Sequence, residues 1–305
     1  MASTPPSAAA PSLVIPVVMV IAGLASYSAM DAVMKALVLA LGAFDAIFWR
    51  MLIGIGVAGM LFVGTRTRWP ARRVLRIHLI RGVVTAAMGY AFFWGLGRVP
   101  LAEAIALSFI APLIALYLAA LLLKERVGRT AIVASLLGIA GVLVILAGKI
   151  DGDFPREAQL GVAAILFAAV LYAWNLILQR QQALVARPVE IAFFQYGIVT
   201  LIYLPLVPFF ATVPAGDHWI GLASAALLGI VSMMAISWGY ARAEAQHLVS
   251  LEYSAFLWAA LFGWLFFDEA VTWATFAGTV LIVSGCLLIA RKRPAKAEIV
   301  EAAAV

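Results

Sequence analysis

Residues Trp94 to Arg98 read WGLGR, and 144 residues later Trp238 to Arg242 read WGYAR. The shared register extends well beyond these pentapeptides. At the same offset Ala111 falls on Ala255, Glu125 on Glu269, Leu137 on Leu281 and Gly141 on Gly285. Upstream, an offset of 145 places Tyr27 on Tyr172, Lys35 on Arg180, Asp45 on Glu190 and Phe48 on Phe193, so a one-residue indel aligns the two halves.

Hydropathy says what the repeated unit is. Of the 305 residues, 65% are hydrophobic and 12% charged, and the mean hydropathy is +1.07. A soluble domain carries about twice that share of charge. A helix crossing the hydrocarbon core takes about 20 apolar residues. Such runs lie near residues 13–34, 44–64, 77–97, 101–122, 130–148, 159–179, 190–210, 219–240, 248–267 and 272–290. The sequence therefore predicts an all-α membrane protein with ten transmembrane helices in two five-helix repeats, at 13–148 and 159–290. A linker at 149–158 joins them, flanked by a disordered tail at 1–12 and a cytoplasmic tail at 291–305. An odd number of helices per copy inverts the second copy in the bilayer, the inverted-topology repeat of many secondary transporters. WGLGR then closes the third helix at one face and WGYAR the eighth at the other, across a pseudo-two-fold axis. Taken singly, either motif is also what an interfacial Trp and Arg anchor looks like.

The formal net charge of +6 and the pI near 9.7 have a topological explanation. Lys and Arg cluster between apolar runs and form no continuous basic face, so no nucleic-acid partner is expected. With both termini cytoplasmic, 16 of the 21 basic residues lie inside, and only Lys35, Arg50, Arg98, Lys149 and Arg156 fall on or near the outside. That bias predicts a multi-pass protein of the inner membrane with both ends in the cytoplasm. The first twelve residues hold no Lys or Arg and lack the basic region of a secretory signal. Cys286, inside an apolar run, reads as a packing residue, and one cysteine supports neither a disulfide framework nor a thiolate metal cluster. No cofactor is expected.

Each half carries an acidic turn ahead of a glycine-bearing last helix, LLKERVGRTAIVASLLGIAGVLVILAG at 122–148 and LFFDEAVTWATFAGTVLIVSGCLLIA at 265–290. With ten helices in two such halves, the chain resembles the EamA-type carriers of the drug/metabolite transporter superfamily over residues 13–290. The resemblance implies a secondary transporter of a small-molecule substrate in the lipid bilayer. Among members of that family, exporters of amino acids, aromatic ones first, are the subgroup favoured here.

Ionisable groups inside a membrane span are costly, so each is a functional candidate. Asp31 and Lys35, four apart on the first helix, are spaced to pair, whether for gating or simply to neutralise each other. Glu252, in SLEYSAFLW at the position equivalent to Ser108, can take a substrate ammonium, a proton or a neighbouring cation. Glu103 and His247 are equivalent, sit near helix starts and are expected to be solvated. Arg50 and Arg81 are expected to snorkel to the interfaces. Pro112, in SFIAPLIAL, frees backbone carbonyls and bends the fourth helix, for gating or for packing; its counterpart Phe256 does not repeat the bend. The expected cavity lining is Tyr27, Tyr90, Trp94, Ser108, Trp174, Asn175, Ser237, Trp238, Tyr253 and Trp258. Aromatic faces in that set can stack on a planar solute or hold a cation, although lipid-facing and core sites are their commoner use.

Two other classes compete. An integral-membrane enzyme needs a catalytic cluster, whereas the histidines are scattered at 78, 218 and 247. A channel or assembly subunit would show no substrate saturation. No phosphate-binding loop is present, so ATP-driven transport by this chain alone is not expected.

Overall fold

The computed structural model describes residues 14–111, 113–115, 118, 129–148, 155–240, 251 and 253–290. Among them there is no strand, as expected where the bilayer offers no water to satisfy an open sheet edge. Helix α1 spans Val14–Leu41 and α2 spans Ala43–Gly64, joined by Gly42 at φ +83°, a conformation that L side chains rarely adopt. Helix α3 covers Arg72–Leu96 and α4 covers Leu101–Ser108, which starts behind Pro100. Helix α5 follows at Arg129–Ala147 and α6, behind Pro155, at Arg156–Ala183. Helix α7 runs Pro188–Tyr203 with proline in its first turn, where no intrahelical N–H bond is lost. Then come α8 at His218–Tyr240, α9 at Ser254–Phe267 and α10 at Trp273–Ala290.

Two predicted spans depart from a single regular helix. The span at 190–210 becomes α7, a 3₁₀ turn at Leu204–Leu206 and one α-turn at Val207–Phe210. Pro205 and Pro208 have no N–H for the ladder. In the span at 101–122, the N–H groups of Phe109 and Ile110 bond three residues back, to Ala106 and Leu107, immediately before the proline at 112. Among the described residues, six helices are long and apolar enough to cross a membrane, and the shorter apolar helices are Leu101–Ala115, Ile132–Ala147, Ser254–Phe267 and Trp273–Gly285. Pro112, Glu252, His247, both expected tails and the side chain of Cys286 lie outside the described residues.

Burial is inverted relative to a soluble protein. Asp31, Lys35, Arg50, His78, Arg81 and Glu190 are buried, while Phe209, Ile220 and Trp273 stand almost fully exposed. That pattern fits a lipid solvent outside and a polar interior. Helix α1 packs chiefly on α8, α3 on α6, α2 on α7 and α5 on α10. The last pair approaches backbone to backbone. A Cβ on Gly141 would lie 2.5 Å from the Gly278 carbonyl oxygen, and one on Gly285 would lie 2.6 Å from that of Ala134. Close helix contact of this kind replaces the hydrophobic drive that lipid cannot supply.

Candidate functional site

A cavity of about 250 Å³ lies inside the bundle, bounded by residues from α1, α2, α3, α4, α6, α7, α8 and the start of α9, with Tyr253 just ahead of it. Its charged groups are Asp31 from α1, Arg50 from α2 and Arg81 from α3. Asn175, Gln179 and Gln195 add amides, and Tyr27, Phe93, Tyr172, Tyr196 and Tyr203 supply aromatic walls.

Packing fixes several of these walls. Gly54 has no side chain because the ring of Tyr196 occupies the place its Cβ would take. The Tyr196 hydroxyl donates to the Ala226 carbonyl at 3.2 Å, and the Tyr203 hydroxyl to that of Ala86 at 2.7 Å. Arg81 is held from three sides: Nε donates to Asn175 Oδ1 at 3.0 Å, Nη1 to Gln182 Oε1, and Nη2 to Gln179 Oε1 at 3.5 Å. The network continues away from the cavity, from Gln182 to His78 and from His78 Nε2 to Glu190 Oε1 at 2.9 Å. A buried guanidinium with that many partners is a fixed positive charge.

The structure redistributes the residues expected from sequence. Tyr27, Asp31, Ser108, Asn175, Ser237 and Tyr253 line the cavity. Tyr90 and Trp94 instead line a separate recess with Arg98, whose guanidinium stacks 3.5 Å from the Trp94 ring and pairs with Glu157 at 2.8 Å. Trp174, Trp238 and Trp258 do not reach the cavity wall; Trp258 stacks on Phe262. Asp31 and Lys35 do not pair. Lys35 turns to Glu269 and to the Val99 carbonyl at 2.8 Å, leaving both Asp31 oxygens without a partner among the described residues. Arg50 and Arg81 do not snorkel either: both are buried and face the cavity, Arg81 held by the amides of Asn175, Gln179 and Gln182, and Arg50 by the Met30 sulfur and the Phe93 ring. Glu103 is buried, not solvated, close enough to Lys35 to act on its charge.

Tyr172, Gln179, Gln195, Tyr196 and Tyr203 are cavity residues that sequence reasoning missed. The repeat offset carried a signal for two of them: Tyr172 is the counterpart of Tyr27, and Gln195 is the counterpart of Arg50 at 145 residues.

Residues 14–147, and again 159–291, match the EamA-like transporter family. The chain belongs to that family. This EamA-like transporter is 27% identical over 271 residues to the pseudopaline exporter CntI of Pseudomonas aeruginosa, covering 88% of the chain and 93% of that relative. It is 32% identical over 290 residues to a riboflavin transporter of Rhizobium johnstonii, covering 90% and 89%. To an S-adenosylmethionine uptake transporter of Rickettsia felis it is 22% identical, covering 87% and 89%. A solved crystal structure shares its fold with a TM-score of 0.60 at 20% identity, covering 90% of this chain and 96% of that one. The EamA-like chain is thus a multi-pass membrane transporter of small metabolites and not an enzyme.

Proposed function

We propose that this protein is a secondary carrier of amino acids, aromatic ones favoured, that works by alternating access in the inner membrane. The observation that carries this reading is the cavity, which sets charged and amide groups among tyrosine and phenylalanine rings. Its direction is export or facilitated diffusion, according to the gradients imposed. The ten expected helices form two inverted repeats, 13–148 and 159–290, with both termini cytoplasmic. Several features support this arrangement. The contacts exchange between halves: α1 on α8 has α6 on α3 as its counterpart, and α2 on α8 has α7 on α3. Phe109 and Tyr253, 144 residues apart, meet edge to face at 5.2 Å, as expected for equivalent residues beside a pseudo-two-fold axis.

Lys35 and Glu269 act as the outer gate in this scheme. Their sequence counterparts at the repeat offsets are Arg180 and Glu125, to which symmetry alone assigns the inner gate; Glu125 and the side chain of Arg180 lie outside the described residues. From sequence alone, Pro112 is assigned a bend in the fourth helix and Glu252, the counterpart of Ser108, a carboxylate for substrate or proton binding; both lie outside the described residues. Glu252→Gln that leaves both rate and pH dependence unchanged would assign Glu252 a structural role.

The test is counterflow in liposomes holding the purified protein. Saturable exchange of labelled phenylalanine or tryptophan supports the carrier and its substrate class. Absence of exchange with every amino acid, from protein shown to be folded, removes the amino-acid assignment and leaves the family's broader metabolite transport.

A further inference from the structure

Three polar groups on the cavity wall lack partners among the described residues. They are both oxygens of Asp31, Nε of Arg50 and the amide nitrogen of Gln195. All three side chains are at least nine-tenths buried, at 1%, 5% and 5% exposure. The neighbouring cation differs, since each nitrogen of Arg81 has a partner, in Asn175, Gln182 and Gln179. Arg50 is held by softer contacts, Nη1 to the Met30 sulfur at 2.8 Å and its guanidinium 5.2 Å from the Phe93 ring centre. Asp31 and Arg50 face one cavity without forming an ion pair.

Buried polar groups without partners are expensive, so a set of them facing a cavity implies a ligand that completes them. An ionised carboxylate only accepts hydrogen bonds, whereas a guanidinium and an amide nitrogen only donate. The set therefore demands one donor-rich cation and one acceptor-rich anion on the same solute. Resting on the amino-acid carrier function proposed above, we infer that Asp31, Arg50 and Gln195 form a head-group subsite for a zwitterionic α-amino acid. Asp31 takes the ammonium, and Arg50 with Gln195 takes the carboxylate. Tyr27, Phe93 and Tyr196 then enclose the solute's side chain. An amine without a carboxylate leaves Arg50 unpaired, and an acid without an amine leaves Asp31 unpaired. Either defect costs far more than a lost apolar contact.

The experiment is counterflow of labelled phenylalanine in proteoliposomes, with phenethylamine and 3-phenylpropionate as competitors. In the unaltered protein, both analogues should compete at least about tenfold more weakly than unlabelled phenylalanine. Asp31→Asn should raise KM for phenylalanine and narrow the discrimination against 3-phenylpropionate. Arg50→Gln should do the same for phenethylamine. This crossed pattern distinguishes a head-group subsite from a merely structural role. Equal competition by either analogue in the unaltered protein overturns the subsite, as do variants that keep both KM and discrimination, while the amino-acid carrier stands. No phenylalanine counterflow from folded protein overturns the subsite together with the substrate assignment beneath it.

Discussion

Lys35 on α1 donates to Glu269, 234 residues further along the chain, and the other oxygen of that carboxylate accepts the N–H of Leu101 at 2.8 Å. Three chain segments meet there. Leu101 opens α4, so its N–H has no intrahelical acceptor, and a carboxylate also suits the positive end of the helix dipole. Lys35 meanwhile serves the Val99 carbonyl. Glu269 reaches this position because α9 ends at Asp268 in the left-handed region, φ +53°, with the Glu269 N–H bonded back to Gly263.

Breaking this junction strands a buried charge. Glu269→Gln or Lys35→Met should each cost about 3 kcal/mol, the lower end of the buried-pair range because Glu269 is partly exposed. Thermal unfolding in detergent measures it. The double variant Lys35→Met with Glu269→Leu should recover a substantial part of the loss, as replaced ion pairs do.

The proposed gate pairs should act on opposite sides. Weakening Lys35–Glu269 should raise labelling of cavity cysteines by an impermeant thiol reagent added outside. Glu125→Gln should raise it from the inside. Labelling that changes on the same side for both variants would exclude the paired-gate scheme.

Arg81 serves geometry as well as charge. Arg81→Lys keeps the charge but cannot hold Asn175, Gln179 and Gln182 together. Hydrogen bonds to charged groups contribute about 1.5–3 kcal/mol each. The variant should therefore lose transport about tenfold or more, read as initial counterflow rate, with a lower unfolding midpoint.

Gly54 is needed to seat Tyr196. Gly54→Ala pushes a methyl group into the ring and should cost about 1–3 kcal/mol, with a raised KM for substrate. Gly56→Ala, which meets no atom within 4 Å, should behave as the unaltered protein in both assays.

Thiol labelling can separate cavity from lipid face. In a Cys286→Ser background, Ser237→Cys and Ser28→Cys should react with a small water-soluble reagent, and substrate should protect both. Trp174→Cys, at a position off the cavity wall, should show no substrate protection.

Helical content, membrane character and transporter family were all legible in the sequence, because they depend on quantities that need no fold. Runs of about 20 apolar residues force hydrogen bonds to close within each helix. The WGLGR and WGYAR register could be seen by aligning the chain with itself. Which face of each helix turns inward was a different matter. These helices are apolar on nearly every side, so no stripe separates Tyr27, which lines the cavity, from Trp174, which does not. Nor does spacing reveal that Lys35 passes over Asp31, four residues away, for Glu269, or that Arg50 and Arg81 stay inside the bundle. Those choices depend on which partners the packed helices bring within reach, and packing brings together residues that are far apart along the chain.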